Sequence, residues 1–169
     1  MSWVIRIAEA ADWHSLELDI SWSEIEARLG SALPADFKRF CEVFGRGDFC
    51  DGFVVYSTGG GESLDLLDEL ASLRRIAETV FPNNYESHAL YVAGGSGLIP
   101  WGEVTQGHAF YWQADSGDPD KWPVVMAAES GEWLNFDMSM SEFIFRVFMD
   151  EGFDYTIAHL IDRPYYRPA

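Results

Sequence analysis

The chain of 169 residues is 48% hydrophobic and 15% aromatic, a composition that excludes a disordered protein and favours one globular domain with a ring-rich core. Eleven Lys and Arg face 28 Asp and Glu, which gives a formal net charge of −17. Nucleic acids and anionic membranes are bound through Lys and Arg, so this charge argues against both; it favours a basic protein partner, or it serves solubility alone.

Residues 1–20 carry the weakest secondary-structure signal. The apolar residues between Trp3 and Trp13 fit either a strand or a short helix. We interpret this segment as a variable lead-in to one domain over residues 21–152, which a C-terminal tail over residues 153–169 follows.

Two short helices are predicted next. Ser21 and Glu24 have the spacing of a capping box, and Gly30 is placed to end the helix that they begin. Pro34 suits the first position of a second helix, which Gly45 closes. The apolar stripe of this second helix consists of Phe37, Phe40, Cys41 and Phe44. Together the two helices are typical of an αα-hairpin.

The middle of the chain changes from strand to helix periodicity. Residues 52–57 are rich in aromatic and β-branched side chains and are predicted to form a strand. A glycine breaker follows at residues 59–61. The apolar face between Leu66 and Val80 then predicts a long helix, which Pro82 stops.

The second half of the chain reads as a set of strands and one last helix. The predicted strands are residues 90–93, 97–105, 108–114, 122–128 and 132–136. Short turns between them indicate an antiparallel meander, in which about one of Trp101, Trp112, Trp122 and Trp133 should be accessible to solvent. Ser139 and Glu142 begin a helix by a second capping box, Gly152 ends it, and residues 163–169 are predicted to be a loose tail.

This order of elements predicts the fold class. Helices grouped around an antiparallel sheet indicate an α+β fold, in a single domain whose curved, mostly antiparallel sheet is surrounded by helices. Cys41 and Cys50 have no metal-binding spacing and are predicted to be reduced thiols. With no signal-peptide pattern and no apolar run of about 20 residues, we expect a cytoplasmic protein.

A search for catalytic chemistry finds little. The sequence has no phosphate-binding loop, no nucleophile elbow and no HExxH helix. The four histidines are far apart, and the aromatic stripe around Cys41 favours a buried, inert thiol. We therefore expect no enzyme activity, no metal and no cofactor.

Negative charge is concentrated in the second half of the chain. Residues 76–162 contain fourteen acidic side chains, and their only basic residues are Lys121 and Arg146. For Asp115, Asp118 and Asp120, a turn-rich loop is a sufficient explanation of the clustered carboxylates, and a surface that binds a partner is the alternative. The candidate partner-binding residues are Asp115, Asp118, Asp120, Glu129 and Glu132.

Several short segments, taken together, carry a family resemblance. Residues 33–40 read LPADFKRF, and residues 43–47 read VFGRG. Residues 98–102, 110–112, 117–125 and 132–133 follow in order. The whole, over about residues 20–150, resembles the SUKH superfamily of Smi/Knr-type proteins. The recurring residues look structural: Pro34, Phe37, Gly45, Trp101, Gly102 and Trp112.

The resemblance implies a helix-flanked α+β fold and a role in protein binding. Bacterial members commonly act as immunity proteins, which bind and block a toxin domain made by the same or a neighbouring cell. Their toxins are diverse and include nucleases, whereas some eukaryotic members regulate cell-wall synthesis and signalling. We expect an immunity protein with a basic toxin partner. A scaffold or regulator of the same fold, and an enzyme with His and carboxylate in one pocket, remain alternatives.

Overall fold

The computed structural model describes residues 1–58, 65–79 and 88–169, and this part of the chain contains five α-helices and seven β-strands. The helices are α1 (Trp3–Ala10), α2 (Trp22–Leu29), α3 (Ala35–Phe44), α4 (Leu66–Thr79) and α5 (Met140–Met149). The strands are β1 (Gly47–Phe49), β2 (Phe53–Val55), β3 (Gly97–Val104), β4 (Ala109–Ala114), β5 (Val124–Ala127), β6 (Trp133–Phe136) and β7 (Tyr166–Pro168). The predicted breaker at residues 59–61 and the predicted stop at Pro82 lie outside the described residues.

The helix ends follow the predicted capping in part. Gly30 and Gly45 have φ of +78° and +67° and close α2 and α3 as predicted. Ser139 caps α5 as predicted, because its hydroxyl accepts the main-chain N–H three residues on at 3.3 Å. The capping bond predicted for Ser21 is wrong, since its ψ of 71° departs from the extended backbone of a capping residue. Pro34 precedes the first residue of α3 and does not occupy it.

All seven strands join in one antiparallel sheet of order β6-β5-β4-β3-β2-β1-β7. Strands β3 to β6 form the predicted meander, and the α+β fold class is confirmed.

The strand predicted at residues 90–93 is wrong: Leu90 forms an isolated bridge to Leu98, and Gly94 and Gly95 then turn the chain before a ladder can extend. Strand β1 was not predicted, because three residues that include a glycine and an aspartate carry little strand signal.

A β-bulge interrupts β3 near its centre. Its pairing with β4 shifts register between Pro100 and Gly102. A Cβ on Gly102 would lie 2.6 Å from the carbonyl oxygen of Val54 in β2, so only glycine allows the two strands to approach this closely. Pro100 lacks the N–H that a regular ladder would use, and its position beside the bulge avoids that loss.

One face of the sheet encloses the main core together with α1, α3 and α5. Trp101 and Trp112 are buried there. The ring of Trp112 lies 5.1 Å from Phe37 of α3, and the ring of Trp101 lies 5.9 Å from Phe143 of α5, both edge-on. These ring contacts hold the two helices on the sheet.

The opposite face of the sheet has a smaller apolar cluster. Leu98, Tyr111 and Val125 pack there with Leu73 of α4. Trp133 belongs to this face and is partly exposed, whereas the other three tryptophans of the strand region are buried. The predicted ratio of one accessible tryptophan in four is therefore confirmed.

Both ends of the described chain contribute to the core. Residues 1–20 include helix α1, whose Val4 and Ile7 are buried against the rest of the main core. The loose tail predicted from the sequence is wrong over β7, which pairs with β1. The reason is Tyr166, which is 8% exposed and packs its ring 4.9 Å from that of Phe44.

Candidate protein-binding surface

The acidic loop, defined here as residues 115–121, follows β4 and is tied to the core through its first carboxylate. Asp115 Oδ1 accepts hydrogen bonds from the main-chain N–H of Gly117 at 2.8 Å and from the indole N–H of Trp122 at 3.2 Å. Because Trp122 is buried, this pair of bonds fixes the exposed start of the loop.

The other two carboxylates of the acidic loop also have structural partners. Asp118 Oδ1 accepts the N–H of Asp120 at 3.1 Å and caps a single 3₁₀ turn, Pro119–Lys121. Asp120 Oδ1 accepts the N–H of Ala35 at 2.6 Å, which satisfies an otherwise unpaired donor at the start of α3. Both side chains remain exposed, so the loop presents them in a fixed arrangement.

The acidic loop also borders a cleft of about 290 Å³ at this end of the sheet. The connection between α2 and α3 and the turn at Gly94 form its other walls. The Tyr91 hydroxyl joins these two walls, because it donates to the carbonyl of Gly30 at 3.1 Å and accepts from Gly94 N–H at 3.3 Å. The cleft therefore has firm polar edges beside the aspartates.

Glu129 and Glu132 lie at the opposite end of the sheet. They belong to the turn between β5 and β6, in which Ala128 N–H donates to the Glu132 carbonyl at 2.8 Å and Gly131 has a φ of +87°. Strand β5 separates this turn from the acidic loop by about 20 Å of extended chain. The structure thus places the five candidate carboxylates in two groups.

Both basic residues of the acidic half of the chain are already engaged in ion pairs. Lys121 Nζ lies 3.8 Å from Asp118 Oδ2. Arg146 lies 2.7 Å from Glu142 and 3.6 Å from Asp150 on α5. The remaining carboxylates of residues 76–162 therefore share no further lysine or arginine of that segment.

A pair of carboxylates on the less covered face of the sheet was not singled out from the sequence. Burial raises the pKa of Glu69 on α4, and the charge of Glu103 on β3 raises it further. The hydroxyl of the buried Tyr56 hydrogen-bonds to Glu103, and burial raises the pKa of that hydroxyl as well. Sequence reasoning missed this group because it combines side chains from β3, α4 and the residue after β2.

The outer edge of β6 is a second feature that the sequence prediction missed. Hydrogen-bonded pairs alternate along an antiparallel ladder, and the bond from Ala128 to Glu132 sets the phase of that alternation. Leu134 and Phe136 therefore direct their main-chain groups to β5, whereas Trp133 and Asn135 direct theirs outward. Among the described residues, no strand pairs with this outer edge.

The two cysteines differ in burial, and a cavity lies beside the second of them. Cys41 is buried as predicted, and burial raises its pKa to about 12, which keeps the thiol protonated and inert. A mainly apolar cavity of about 270 Å³ lies beside the half-buried Cys50.

No group of three or more His, Cys, Asp or Glu within residues 1–58, 65–79 and 88–169 is arranged to hold a metal ion. Over the same residues, every helix is too short or too polar to cross a membrane.

These observations define an α+β protein with one antiparallel sheet, helices on its main core face, and acidic turns at both ends of β5. The chain belongs to the SUKH superfamily: the model of the SMI1-KNR4 cell-wall family, SUKH_6, matches residues 19–144. Neither a curated protein nor a solved structure matches the chain. The six recurring residues that were predicted to be structural are all buried: Pro34, Phe37, Gly45, Trp101, Gly102 and Trp112.

Proposed function

We propose that this protein is an immunity protein of the cytoplasm, which binds a basic toxin domain and blocks it. Membership of the SUKH superfamily supports a role in binding proteins. The observation that carries the proposal is the uncompensated negative charge of residues 76–162, whose two cations are both paired within the chain. Such a field attracts a cationic protein and accelerates its association.

A toxin that cleaves nucleic acid fits this field best. A nuclease needs Lys and Arg to hold its substrate, so an acidic inhibitor can occupy the same surface. The acidic loop offers three exposed carboxylates whose positions are fixed before the partner arrives. A fixed arrangement reduces the entropy lost on binding.

A second candidate function is regulation of the cell wall without a toxin partner. The description of the matched family favours it, because that description names the cell wall. The neighbouring genes separate the two candidates, since an immunity gene is expected directly beside a toxin gene.

The test is co-expression with the toxin encoded beside the gene, with cell survival and co-purification as readouts. Replacement of Asp118 and Asp120 by Lys should slow toxin association and flatten its dependence on salt, because both charges are exposed. Glu129→Lys with Glu132→Lys tests the other end of the sheet in the same way.

The matched control is Glu9→Lys with Glu24→Lys on α1 and α2, which changes the net charge equally. Thermal unfolding of each variant verifies the fold, because Asp120 also binds the start of α3. Wild-type rescue by both paired variants would remove the proposed acidic surface, and failure of the unaltered protein to rescue any cell would remove the immunity function.

A further inference from the structure

The cavity of about 270 Å³ beside Cys50 lies where four segments meet: the β1–β2 turn, the β3–β4 turn, α5 and residues 155–161. Its floor is apolar, because the buried side chains of Phe49, Phe53 and Val147 line it. Its rim includes Leu160, which is 71% exposed. Since a cavity of about 150 Å³ holds a benzene ring, this space accepts an aromatic side chain as large as that of Trp.

Main-chain hydrogen bonds fix the walls of the cavity. The N–H of Thr105 donates to the carbonyl of Gly52 at 3.1 Å, which joins the β3–β4 turn to the β1–β2 turn. The N–H of Ile157 donates to the carbonyl of Val147 at 2.8 Å, which joins residues 155–161 to α5. The cavity is therefore formed before a ligand arrives, as is usual for binding sites, and little order has to be gained on binding.

The β1–β2 turn that forms one wall has an unusual backbone. Cys50 and Asp51 have φ of +51° and +57°, in the left-handed region that favours glycine or asparagine. The Asp51 carboxylate has a structural partner, because it accepts the Tyr165 hydroxyl, whereas Cys50 lines the cavity. Strained backbone of this kind clusters at binding sites, so the turn supports a binding role for the cavity.

Exposed carboxylates lie beside the cavity on two sides. The β3–β4 turn packs against Glu129, since a Cβ on Gly107 of that turn would lie 3.4 Å from Glu129 Cγ. Asp154 precedes the wall segment 155–161 and Asp162 follows it, and all three carboxylates are exposed. An apolar cavity with acidic surroundings is complementary to an apolar side chain that has cations next to it.

We propose that this cavity binds one aromatic side chain of the basic partner protein, at a position that Lys or Arg flanks in the partner's sequence. The ring displaces water from the apolar floor and supplies affinity, as aromatic anchors do at the centre of protein interfaces. The carboxylates of Glu129, Asp154 and Asp162 attract the flanking cations. A second copy of this chain is disfavoured as the occupant, because its net charge of −17 repels the same surface. The inference rests on the proposed function for the identity of the partner, and it names the anchor.

The test uses the methyl-labelled full chain and peptides with two Lys on each side of a central Gly-Trp-Gly or Gly-Ala-Gly. We expect the Trp peptide to shift the NMR signals of the Val147 and Ile157 methyl groups, because the ring current of a bound indole acts on groups that line the cavity. The methyl signals of Ile25 on α2 should stay unchanged. At low salt the Trp peptide should bind at least about tenfold more tightly than the Ala peptide.

Two further probes separate the ring from the charges. A Trp peptide with Glu in place of Lys should bind about tenfold more weakly at low salt, and the difference should shrink as salt is added. Glu129→Gln with Asp154→Asn should bring the affinities of the Lys-flanked and Glu-flanked peptides together. Free indole should bind more weakly than the Lys-flanked Trp peptide, since it lacks the flanking cations.

A variant at the rim keeps the test specific. Leu160→Ala removes exposed apolar surface beside the cavity and should weaken binding of the Trp peptide about fivefold. The matched control is Leu18→Ala, at a 41% exposed position outside the cavity lining, which should leave the affinity unchanged. Thermal unfolding of both variants verifies the fold.

Four outcomes would overturn the proposal. The first is no shift of the Val147 and Ile157 methyl signals with the Trp peptide, and the second is equal affinity for the Trp and Ala peptides. The third is tighter binding of free indole than of the Trp peptide, because a small molecule would then be the occupant. The fourth is a dimer that Leu160→Ala converts to a monomer. Binding of the Trp peptide without rescue from any toxin would remove the immunity function alone, so the two proposals fail separately.

Discussion

The two end strands of the sheet, β7 and β6, differ in the main-chain groups that they direct outward. At the β7 edge, the main-chain N–H of Cys50 donates to the carbonyl of Tyr165, and that of Ala169 donates to the carbonyl of Arg46. Because hydrogen-bonded pairs alternate along the ladder, Tyr166 and Pro168 direct their main-chain groups outward. Pro168 has no N–H to offer there. At the β6 edge, the two residues whose main-chain groups point away from β5 are Trp133 and Asn135, and neither is a proline.

Side-chain charge follows the same division. Arg167 of β7 forms ion pairs with Asp48 at 3.6 Å and with Asp51, whereas β6 has no charged residue. A proline and a paired arginine discourage the addition of a strand. The comparison teaches that one edge strand carries its own proline and paired arginine, whereas the four residues of β6 include neither residue type.

The largest expected effect comes from releasing β7. Tyr166→Ala removes a buried ring that lies 4.8 Å from Phe49 and whose hydroxyl donates to Gly45. We expect the free energy of unfolding to fall by about 3–4 kcal/mol, as for other buried aromatic truncations. Urea denaturation measures this change. The matched control Tyr165→Ala, at a 42% exposed position, should cost below about 1 kcal/mol. Equal losses for the two variants would contradict the anchoring role of Tyr166.

A smaller effect tests the direction of the main-chain groups in β6. Leu134→Pro removes an N–H that points to β5 and should cost about 3 kcal/mol. Asn135→Pro removes an outward N–H and should cost about 1 kcal/mol or less, because proline is tolerated at such edge positions. Chemical denaturation of both variants gives the difference. A reversed order would mean that the alternation along β6 is shifted by one residue.

The smallest effect concerns the polar contacts at the β7 edge. Tyr165 Oη donates to Asp51 Oδ2 at 2.6 Å, and this hydrogen bond raises the pKa of the Tyr165 hydroxyl. The contribution of the bond to stability is therefore complete below the ordinary tyrosine pKa and is lost as the pH rises through the raised value. Asp51→Asn should return the pKa toward its ordinary value in an ultraviolet difference titration. Asp48→Asn, the control, should leave it unchanged.

Much of the fold could be predicted from local patterns. The α3 stripe, the Ser139 cap and the strands of the meander each depend on residues close together in sequence. Strand β7 could not be predicted, because its stability depends on Tyr166 packing against Phe44 and Phe49, which lie more than a hundred positions earlier. The sequence of residues 3–13 fits a strand as well as the helix α1 for the same reason, since the residues that bury this helix come from elsewhere in the chain.

The candidate surface was predictable in its residues but not in its arrangement. Sequence proximity suggested that Asp118 and Glu132 belong to one region, yet β5 places their turns at opposite ends. The position of β6 at the end of the described sheet could not be identified beforehand, because the order of strands in the sheet determines which strand is outermost. Composition reports charge and hydrophobicity, and topology decides which groups share a surface.

The distance between those two turns limits which ligands can engage both. A standard protein interface covers about 800 Å² on each partner, a footprint wide enough to include both ends of β5. A metal ion or a small monoamine is too short for that reach and can neutralise one turn at a time. Simultaneous occupation of the two turns therefore favours a ligand of protein size over such small cations.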